Sequence, residues 1–226
     1  MIPLLRNIES RIDQTLLKYD VGIAKYTEFV ERSEKYNFRA LVVPTTVVNH
    51  VASISKLPVA SVIGFPYGYF PLEVKLKEIE YSAKAGAKEV DVVVDIINVK
   101  SGVWDKVRNE ISSLVRRSHE LGLKIKVIIE TSVLNDEEII KISKIIADEG
   151  GDYVKTNTGF GSRGVMVKDV ILIRGVVKGR AGIKAAGGIR SAIDAAILLH
   201  YGADIIGASR GIEIAEEAKR LLKSIG

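Results

Sequence analysis

The pattern of hydrophobic and polar positions changes repeatedly between two periods along this chain. Short runs rich in Val and Ile, such as VDVVVDI at 90–96 and KVIIE at 126–130, are typical of β-strands. Each run is followed by a loop and then by a segment with the 3.6-residue period of an amphipathic helix. The pattern predicts strands over Arg11–Thr15, Ala40–Val43, Val59–Gly64, Glu89–Asp95, Lys124–Glu130, Asp152–Lys155, Gly182–Ala185 and Asp204–Gly207.

Residue types at the predicted helix ends support the same division into elements. Asn135 precedes three acidic residues, which suits a helix N-cap and first turn. Ser191 and Asp194 have the spacing of a capping box, and Pro71 is placed to open a helix that stops at Gly86. Strands and helices are therefore expected to alternate throughout the chain.

Eight strands that alternate with helices favour a parallel sheet. The strands are apolar on both faces, as expected when helices cover both sides of the sheet. Within 226 residues this predicts an α/β fold, a single (β/α)8 TIM barrel over residues 1–226 with a short extra N-terminal helix over Leu4–Ser10. An open doubly wound sheet is the alternative. Against it, no G-x-G-x-x-G motif follows the first strand, and the lysine-bearing segments lie in the second half.

Composition narrows the class of protein. Apolar residues make up 47% of the chain, enough for a sizeable core, and no stretch reaches 18 uncharged apolar residues, so we expect no membrane span. The absence of cysteine excludes disulfides and thiolate metal sites, and the first segment is unlike a secretory signal, so we expect a cytoplasmic protein. The net charge of +5 is scattered, which favours a small anionic substrate over nucleic acid.

Two lysines stand where reactive groups are often exposed. Lys155 in DYVKTNTGF and Lys184 in GIKAAGGIR each end a short apolar segment and run into a glycine-rich loop. Burial and a second cation nearby both favour the neutral amine, and a neutral amine attacks a carbonyl to form an imine. A single lysine of this kind is more simply one whose stem is buried and whose charge reaches water. Two in the same context favour an imine-forming site.

Further charged residues lie on the neighbouring predicted strands. Period-two alternation places Asp91 and Asp95 on one face of the fourth strand, and Lys126 and Glu130 on one face of the fifth. If these faces point into the barrel, adjacent strands bring one carboxylate and three lysines to a single cavity. Charged residues are rarely buried without a partner or a task, so this grouping indicates a functional site.

Glycine-rich loops after the last three strands predict a phosphate site. Barrel enzymes often hold a phosphate with the loops after strands seven and eight, where backbone N–H groups close on the anion. Arg190 is a further candidate donor. The predicted phosphate-binding residues are Thr158, Gly159, Gly187, Gly188, Gly207, Ser209 and Arg210.

Seven motifs, in order, make the chain resemble the deoxyribose-phosphate aldolase family. The resemblance covers almost the whole chain, and ETSVLNDEEI, VKTNTGF and KAAGGIR are its most specific pieces. The motifs are IDQTLL at 12–17, SVIGFPYG at 61–68, GAKEVDVVV at 86–94, KVIIETSVLNDEEI at 126–139, DYVKTNTGF at 152–160, IKAAGGIR at 183–190 and IGAS at 206–209.

The resemblance implies a class I aldolase that needs no metal or other cofactor. It would reversibly cleave 2-deoxy-D-ribose 5-phosphate to D-glyceraldehyde 3-phosphate and acetaldehyde, in deoxynucleoside catabolism. Lys155 takes the position of the Schiff-base lysine, Lys184 that of the second lysine, and Asp91 that of the proton-shuttling aspartate. Asp13 and Lys126 match supporting polar positions. Gly159, Gly187, Gly188 and Ser209 fall on the family's phosphate loops, and a homodimer or homotetramer is expected.

Some positions depart from the family's usual pattern. Gln14 stands where His is common, Asp95 where Asn is commoner, and Arg210 replaces a frequent Ser in the last phosphate loop, where it is placed to contact the anion. Two other functions stay open. One is another phosphate-binding barrel enzyme, a transaldolase or a sugar-phosphate isomerase, although an isomerase needs a carboxylate or histidine base. The other is a catalytically silent barrel that binds a metabolite.

Overall fold

The chain folds into a closed barrel of eight parallel strands with helices between them. The computed structural model describes residues 2–225, and the strands pair in chain order, with β8 returning to β1. This confirms the predicted (β/α)8 barrel. The strands are β1 Ile12–Thr15, β2 Ala40–Pro44, β3 Val59–Ile63, β4 Glu89–Val93, β5 Lys124–Ile128, β6 Tyr153–Lys155, β7 Gly182–Ala186 and β8 Ile205–Ala208.

Helices cover the outside of the barrel, and none of those within residues 2–225 has both the length and the apolar character to cross a membrane. The predicted caps are confirmed, because Asn135 forms a capping box with Glu138 and the Ser191 hydroxyl accepts the N–H of Asp194. The helices are α1 Ile2–Leu5, α2 Ile23–Ser33, α3 Val48–Ile54, α4 Leu72–Lys84, α5 Ile96–Lys100, α6 Trp104–Glu120, α7 Asp136–Asp148, α8 Val167–Val177, α9 Ala192–His200 and α10 Gly211–Ile225.

The N-terminal helix is shorter than the sequence predicts. Instead of one helix over Leu4–Ser10, α1 ends at Leu5 and a separate 3-10 turn runs over Ile8–Arg11. Asn7 lies between them with a φ of 56°, in the left-handed region that Asn tolerates better than most residues. The chain is therefore turned before it enters β1.

The inside of the barrel is divided into an apolar part and a charged part. Val42, Ala60 and Val62 form a small apolar cluster inside β2 and β3. Register pairs Ala60 with Glu89 and Val62 with Asp91, so these two carboxylates face inward beside the apolar cluster. The alternate residues of the strands face outward and pack with the helices in the main core.

Two predicted strand faces end earlier than expected. β4 ends at Val93, and Asp95 instead caps α5, where its carboxylate accepts the N–H of Ile97 at 2.9 Å. β5 ends at Ile128, and Glu130 has a left-handed φ of 53°. The expectations that Asp95 shares a face with Asp91, and Glu130 with Lys126, are therefore wrong, because alternation holds only while the chain stays extended.

Candidate active site

Asp91 lies at the centre of the charged part of the barrel. Its side chain is fully buried, and it joins lysines from three successive strands. Oδ1 accepts a hydrogen bond from Lys126 Nζ at 2.8 Å, and Oδ2 accepts from Lys155 Nζ at 2.8 Å and from Lys184 Nζ at 2.6 Å. The structure thus brings together the one carboxylate and three lysines that alternation predicts, because β4, β5, β6 and β7 are neighbours in the barrel.

A second layer of charged side chains lies against this centre. Asp13 Oδ2 is 2.6 Å from Lys184 Nζ, although the angle is not that of a hydrogen bond. Arg39 Nε donates to Asp13 Oδ1 at 2.6 Å, and Arg39 also pairs with both carboxylate oxygens of Glu89. Glu89 Oε2 lies 2.5 Å from Lys126 Nζ. Each of the six charged side chains around Asp91 therefore lies against a group of opposite charge.

Arg39 and Glu89 were not identified from the sequence. A signal for Glu89 was present, since it lies two residues before Asp91 and so shares its strand face. Arg39 precedes the first residue of β2, where strand alternation says nothing about its direction. Its role becomes visible only when Asp13 and Glu89 are brought together by the closed barrel.

The lysines of the cluster differ in their electrostatics. Burial lowers the pKa of Lys155 from 10.5 to about 8; the Asp91 carboxylate opposes this shift, and the Lys184 cation adds to it. Burial also disfavours the charged form of Lys126, but Asp91, Asp13 and Glu89 outweigh it and raise the pKa of that lysine. Lys155 therefore supplies free amine near neutral pH, whereas Lys126 remains a cation.

The carboxylates of the cluster stay ionised. Burial alone would raise the pKa of Asp91, but Lys126, Lys155 and Lys184 together hold it well below its ordinary value of 3.8. Burial likewise opposes ionisation of Asp13, and Lys184, Lys126 and Arg39 lower its pKa to about 2. These carboxylates are paired with lysine and arginine side chains. Within residues 2–225, no three His, Asp or Glu side chains are grouped to hold a metal ion.

A cavity of about 400 Å³ opens above the charged cluster at the carboxyl ends of the strands. Lys155 lines this cavity, whereas Asp91, Lys126 and Lys184 are fully buried beneath it. The Lys155 side chain is 4% exposed, so its amine is the group of the cluster within reach of a ligand. The other predicted residues on the cavity wall are Thr158, Gly159, Gly187, Gly188, Gly207, Ser209 and Arg210.

The glycines of the cavity wall have two structural tasks. Gly187 and Gly188 have φ values of 95° and 76°, so the β7 loop turns back on itself in a conformation that side chains rarely adopt. Gly207 has no such backbone requirement. A Cβ on Gly207 would lie 2.9 Å from Lys184 Cε, so this glycine leaves room for the lysine as well as lining the cavity.

Glu130 fixes the loop that follows Lys155. Its carboxylate accepts the N–H of Thr158 at 2.9 Å, the Thr158 hydroxyl at 2.6 Å and the side-chain amide of Asn157 at 2.9 Å. Burial opposes its ionisation, but these bonds and one from the Ser132 hydroxyl hold the pKa of Glu130 below its ordinary value. Sequence alternation predicts that Glu130 shares a strand face with Lys126, but its contacts are with Asn157 and Thr158 of the loop after β6.

Comparisons with known proteins agree over nearly the whole chain. The model of the DeoC/LacD family aldolases matches residues 12–217. The deoxyribose-phosphate aldolase of Caldanaerobacter subterraneus subsp. tengcongensis is 40% identical over 220 residues, which are 96% of this chain and 95% of that protein. The aldolase QR15 superposes with a TM-score of 0.92 at 38% identity, over 97% of this chain and 99% of that one.

A second solved structure with the same barrel is that of a tetrameric deoxyribose phosphate aldolase from Aeropyrum pernix. It superposes with a TM-score of 0.88 at 33% identity, covering 96% of this chain and 97% of the other. The similarity to both solved structures therefore extends over nearly the whole chain.

Proposed function

Because this chain belongs to the DeoC/LacD aldolase family, we propose that it cleaves 2-deoxy-D-ribose 5-phosphate reversibly to D-glyceraldehyde 3-phosphate and acetaldehyde. In this proposal the carbonyl carbon of the substrate forms an imine with Lys155. One observation supports it most strongly. Lys155 borders the cavity, its pKa is lowered to about 8, and it donates to the same Asp91 oxygen that accepts from Lys184.

The first steps use the free amine of Lys155. With a pKa of about 8, roughly one-tenth of the amine is neutral at pH 7. Its nitrogen attacks C1 of the open-chain sugar, and the resulting carbinolamine loses water to give a protonated imine. Asp91, with Lys184 and a water molecule, moves the protons that this dehydration requires.

The carbon–carbon bond then breaks toward the imine. The electron pair of the C2–C3 bond moves to the protonated imine and leaves an enamine, while the C3 hydroxyl gives up its proton and becomes the aldehyde of glyceraldehyde 3-phosphate. The enamine takes a proton at C2, and water hydrolyses the new imine to acetaldehyde and free Lys155. The buried Asp91–Lys184 pair is 2.6 Å apart and supplies the nearest proton-exchanging groups to Lys155.

The other end of the cavity would hold the phosphate. Backbone N–H groups of the loops at Gly159 and at Gly187–Gly188 are placed at the carboxyl ends of β6 and β7, and Ser209 and Arg210 follow β8. Lys18 and Arg190 also line this cavity and make it more favourable to an anion. Because Lys155 and these loops line the same cavity, the cavity suits a substrate that carries both a carbonyl and a phosphate.

Borohydride trapping tests the imine. The protein is incubated with acetaldehyde, reduced, and digested with trypsin, which cuts at Arg163 and Arg180 and so separates the peptides of Lys155 and Lys184. We expect an ethyl group on the Lys155 peptide and none in a Lys155→Leu variant. An adduct on the Lys184 peptide, or no adduct at all, would overturn the assignment of Lys155.

Turnover tests the substrate and separates the enzyme from a silent barrel. Release of glyceraldehyde 3-phosphate from deoxyribose 5-phosphate is followed by adding an isomerase that converts it to dihydroxyacetone phosphate and a dehydrogenase that reduces this product with NADH. We expect cleavage by the wild type and none by Lys155→Leu, with circular dichroism showing that the variant keeps the fold. An adduct on Lys155 without cleavage would favour a different aldehyde substrate, and cleavage by the variant would refute the mechanism.

We also propose that the protein is a homodimer or a homotetramer. The relative from Aeropyrum pernix is tetrameric. Tyr67, Tyr69 and Phe70 form an exposed aromatic group after β3, which a subunit contact would cover. Light scattering coupled to size exclusion gives the mass directly, and a monomer at micromolar concentration would contradict this proposal.

A further inference from the structure

The net charge of the buried network inside the barrel depends on whether Lys155 is protonated. Three cations and three anions are joined by contacts of 3.8 Å or less, and Lys155 is the seventh charged group of the same network. With Lys155 neutral the network sums to zero, and with Lys155 protonated it carries one surplus positive charge. The cations are Arg39, Lys126 and Lys184, and the anions are Asp13, Glu89 and Asp91.

A buried network is most stable when its charges are matched. The charged groups nearest to Lys155 are Asp91 of β4, Lys126 of β5 and Lys184 of β7. Asp13 of β1 lies behind Lys184. β2, β3 and β8 contribute apolar residues or glycine on the inner face. On the cavity side, Lys18, Asp20, Arg190 and Arg210 line the opening, where solvent screens them.

Arg39 supplies the third cation of the network from the side of the barrel opposite the cavity. It lies just before β2, at the amino-terminal side of the barrel, and its side chain is 20% exposed. Its contacts are with Asp13 and Glu89, which in turn contact Lys184 and Lys126. Without Arg39, the network would hold three carboxylates and three lysines. Its net charge would then be zero only with Lys155 protonated, which favours a proton on Lys155.

We propose that Arg39 is a positioning residue that acts through Asp13 and Glu89 to make Lys155 the group of the network that releases its proton. The inference rests on the proposed role of Lys155 in catalysis, but the charge balance itself does not depend on any substrate. It assigns Glu89 the opposite effect, because removing an anion adds to the positive surplus around Lys155.

Titration of the amine by chemical modification tests this balance without catalysis. Limiting formaldehyde and cyanoborohydride methylate neutral amines, and the tryptic peptide of Lys155 is quantified against that of Lys77, which is 78% exposed. The rate ratio is measured against pH for the wild type, Arg39→Gln, Glu89→Gln and the double variant. The pH dependence of kcat/KM for sugar-phosphate cleavage is measured on the same proteins.

Opposite shifts are expected for the two single variants. The pH midpoint of Lys155 methylation rises by about one pH unit in Arg39→Gln and falls by a similar amount in Glu89→Gln. One partly screened charge has an effect of this order. In the double variant it returns to the wild-type value, and Arg39→Lys keeps that value because the charge is retained. The acid limb of kcat/KM moves in parallel.

A merely structural role for Arg39 gives a different result. Equal midpoints in all variants, or shifts of the same sign in Arg39→Gln and Glu89→Gln, would overturn the proposal. If Arg39→Gln does not fold, Glu89→Gln decides alone, since a midpoint that fails to fall rejects the charge balance. If methylation follows the expected pattern but no variant or wild type cleaves the sugar phosphate, the proposed function fails and the balance stands.

Discussion

Replacing Lys155 by Met should make the folded protein more stable at neutral pH. Met has a similar unbranched length but carries no charge, so it removes the cost of burying an ammonium group. That cost follows from the pKa of Lys155, which is about 8 in the folded protein and 10.5 ordinarily. At about 1.4 kcal/mol for each pH unit, the difference is roughly 3 kcal/mol.

The sign of this effect depends on pH. The unfolded chain binds the Lys155 proton more tightly than the folded protein, so the wild type is destabilised wherever the amine is protonated. The full penalty is present below pH 8 and disappears as pH rises from about 8 to 10.5. Stability of the wild type relative to the variant should therefore increase across that range.

A lost hydrogen bond opposes the gain. Met donates nothing to Asp91 Oδ2, which costs about 1 kcal/mol, but Asp91 keeps Lys126 at 2.8 Å and Lys184 at 2.6 Å. The net expectation is a variant about 2 kcal/mol more stable than the wild type at pH 7, with the difference near zero at pH 10.

Lys126→Met is the matched control. The same substitution at a lysine whose pKa is raised leaves Asp91 and Glu89 with one cation fewer, so it should destabilise by about 3–5 kcal/mol. Guanidinium unfolding at pH 7 and pH 10 measures all three proteins. A Lys155→Met variant less stable than the wild type at pH 7, or a stability difference that does not change with pH, would refute the reasoning.

Three further predictions concern activity. The rate constant kcat/KM should increase about tenfold per pH unit below pH 8 and level off above it, because the proposed mechanism uses the neutral amine of Lys155. A flat profile between pH 6 and 8 would contradict this mechanism. Glu130→Gln leaves the donors of the Thr158 loop unmatched, so it should raise KM for deoxyribose 5-phosphate about tenfold yet change cleavage of unphosphorylated deoxyribose less than twofold. Equal losses on both substrates would assign Glu130 to folding alone. Gly207→Ala should lower kcat about tenfold or more, because its Cβ would displace Lys184. The control Gly175→Ala in α8, whose Cβ meets no atom within 4 Å, should keep wild-type activity. Equal kcat in the two variants would show that Lys184 tolerates the displacement.

The strands and the residues on them could be predicted from the sequence. Asp91, Lys126, Lys155 and Lys184 lie on strands with clear apolar patterns, and in a closed parallel barrel the inner faces of neighbouring strands must meet. The positions of these side chains follow from the period of two and the order of the strands. Local pattern and global fold agree for this part of the site.

The remaining parts depend on contacts that no local pattern carries. Arg39 lies outside a strand, and its direction is set by two carboxylates that are distant in sequence. Glu130 leaves the strand in a left-handed conformation, and Asp95 caps a helix, so neither follows the alternation of the residues before it. Once the chain leaves the regular strand, tertiary hydrogen bonds decide where each side chain points.

The groups that would carry out the reaction are fixed to strands, whereas those that would select the substrate belong to loops. Lys155, Lys184 and Asp91 are held by the hydrogen-bonded sheet, and residues of the loops after β6, β7 and β8 line the cavity above them. Replacing these loops therefore offers a way to redesign the preference for acceptor aldehydes with little disturbance of the proton-transfer groups beneath them. A mutant library confined to residues 158–164, 187–190 and 209–210 would explore new aldehydes on an unchanged reactive centre.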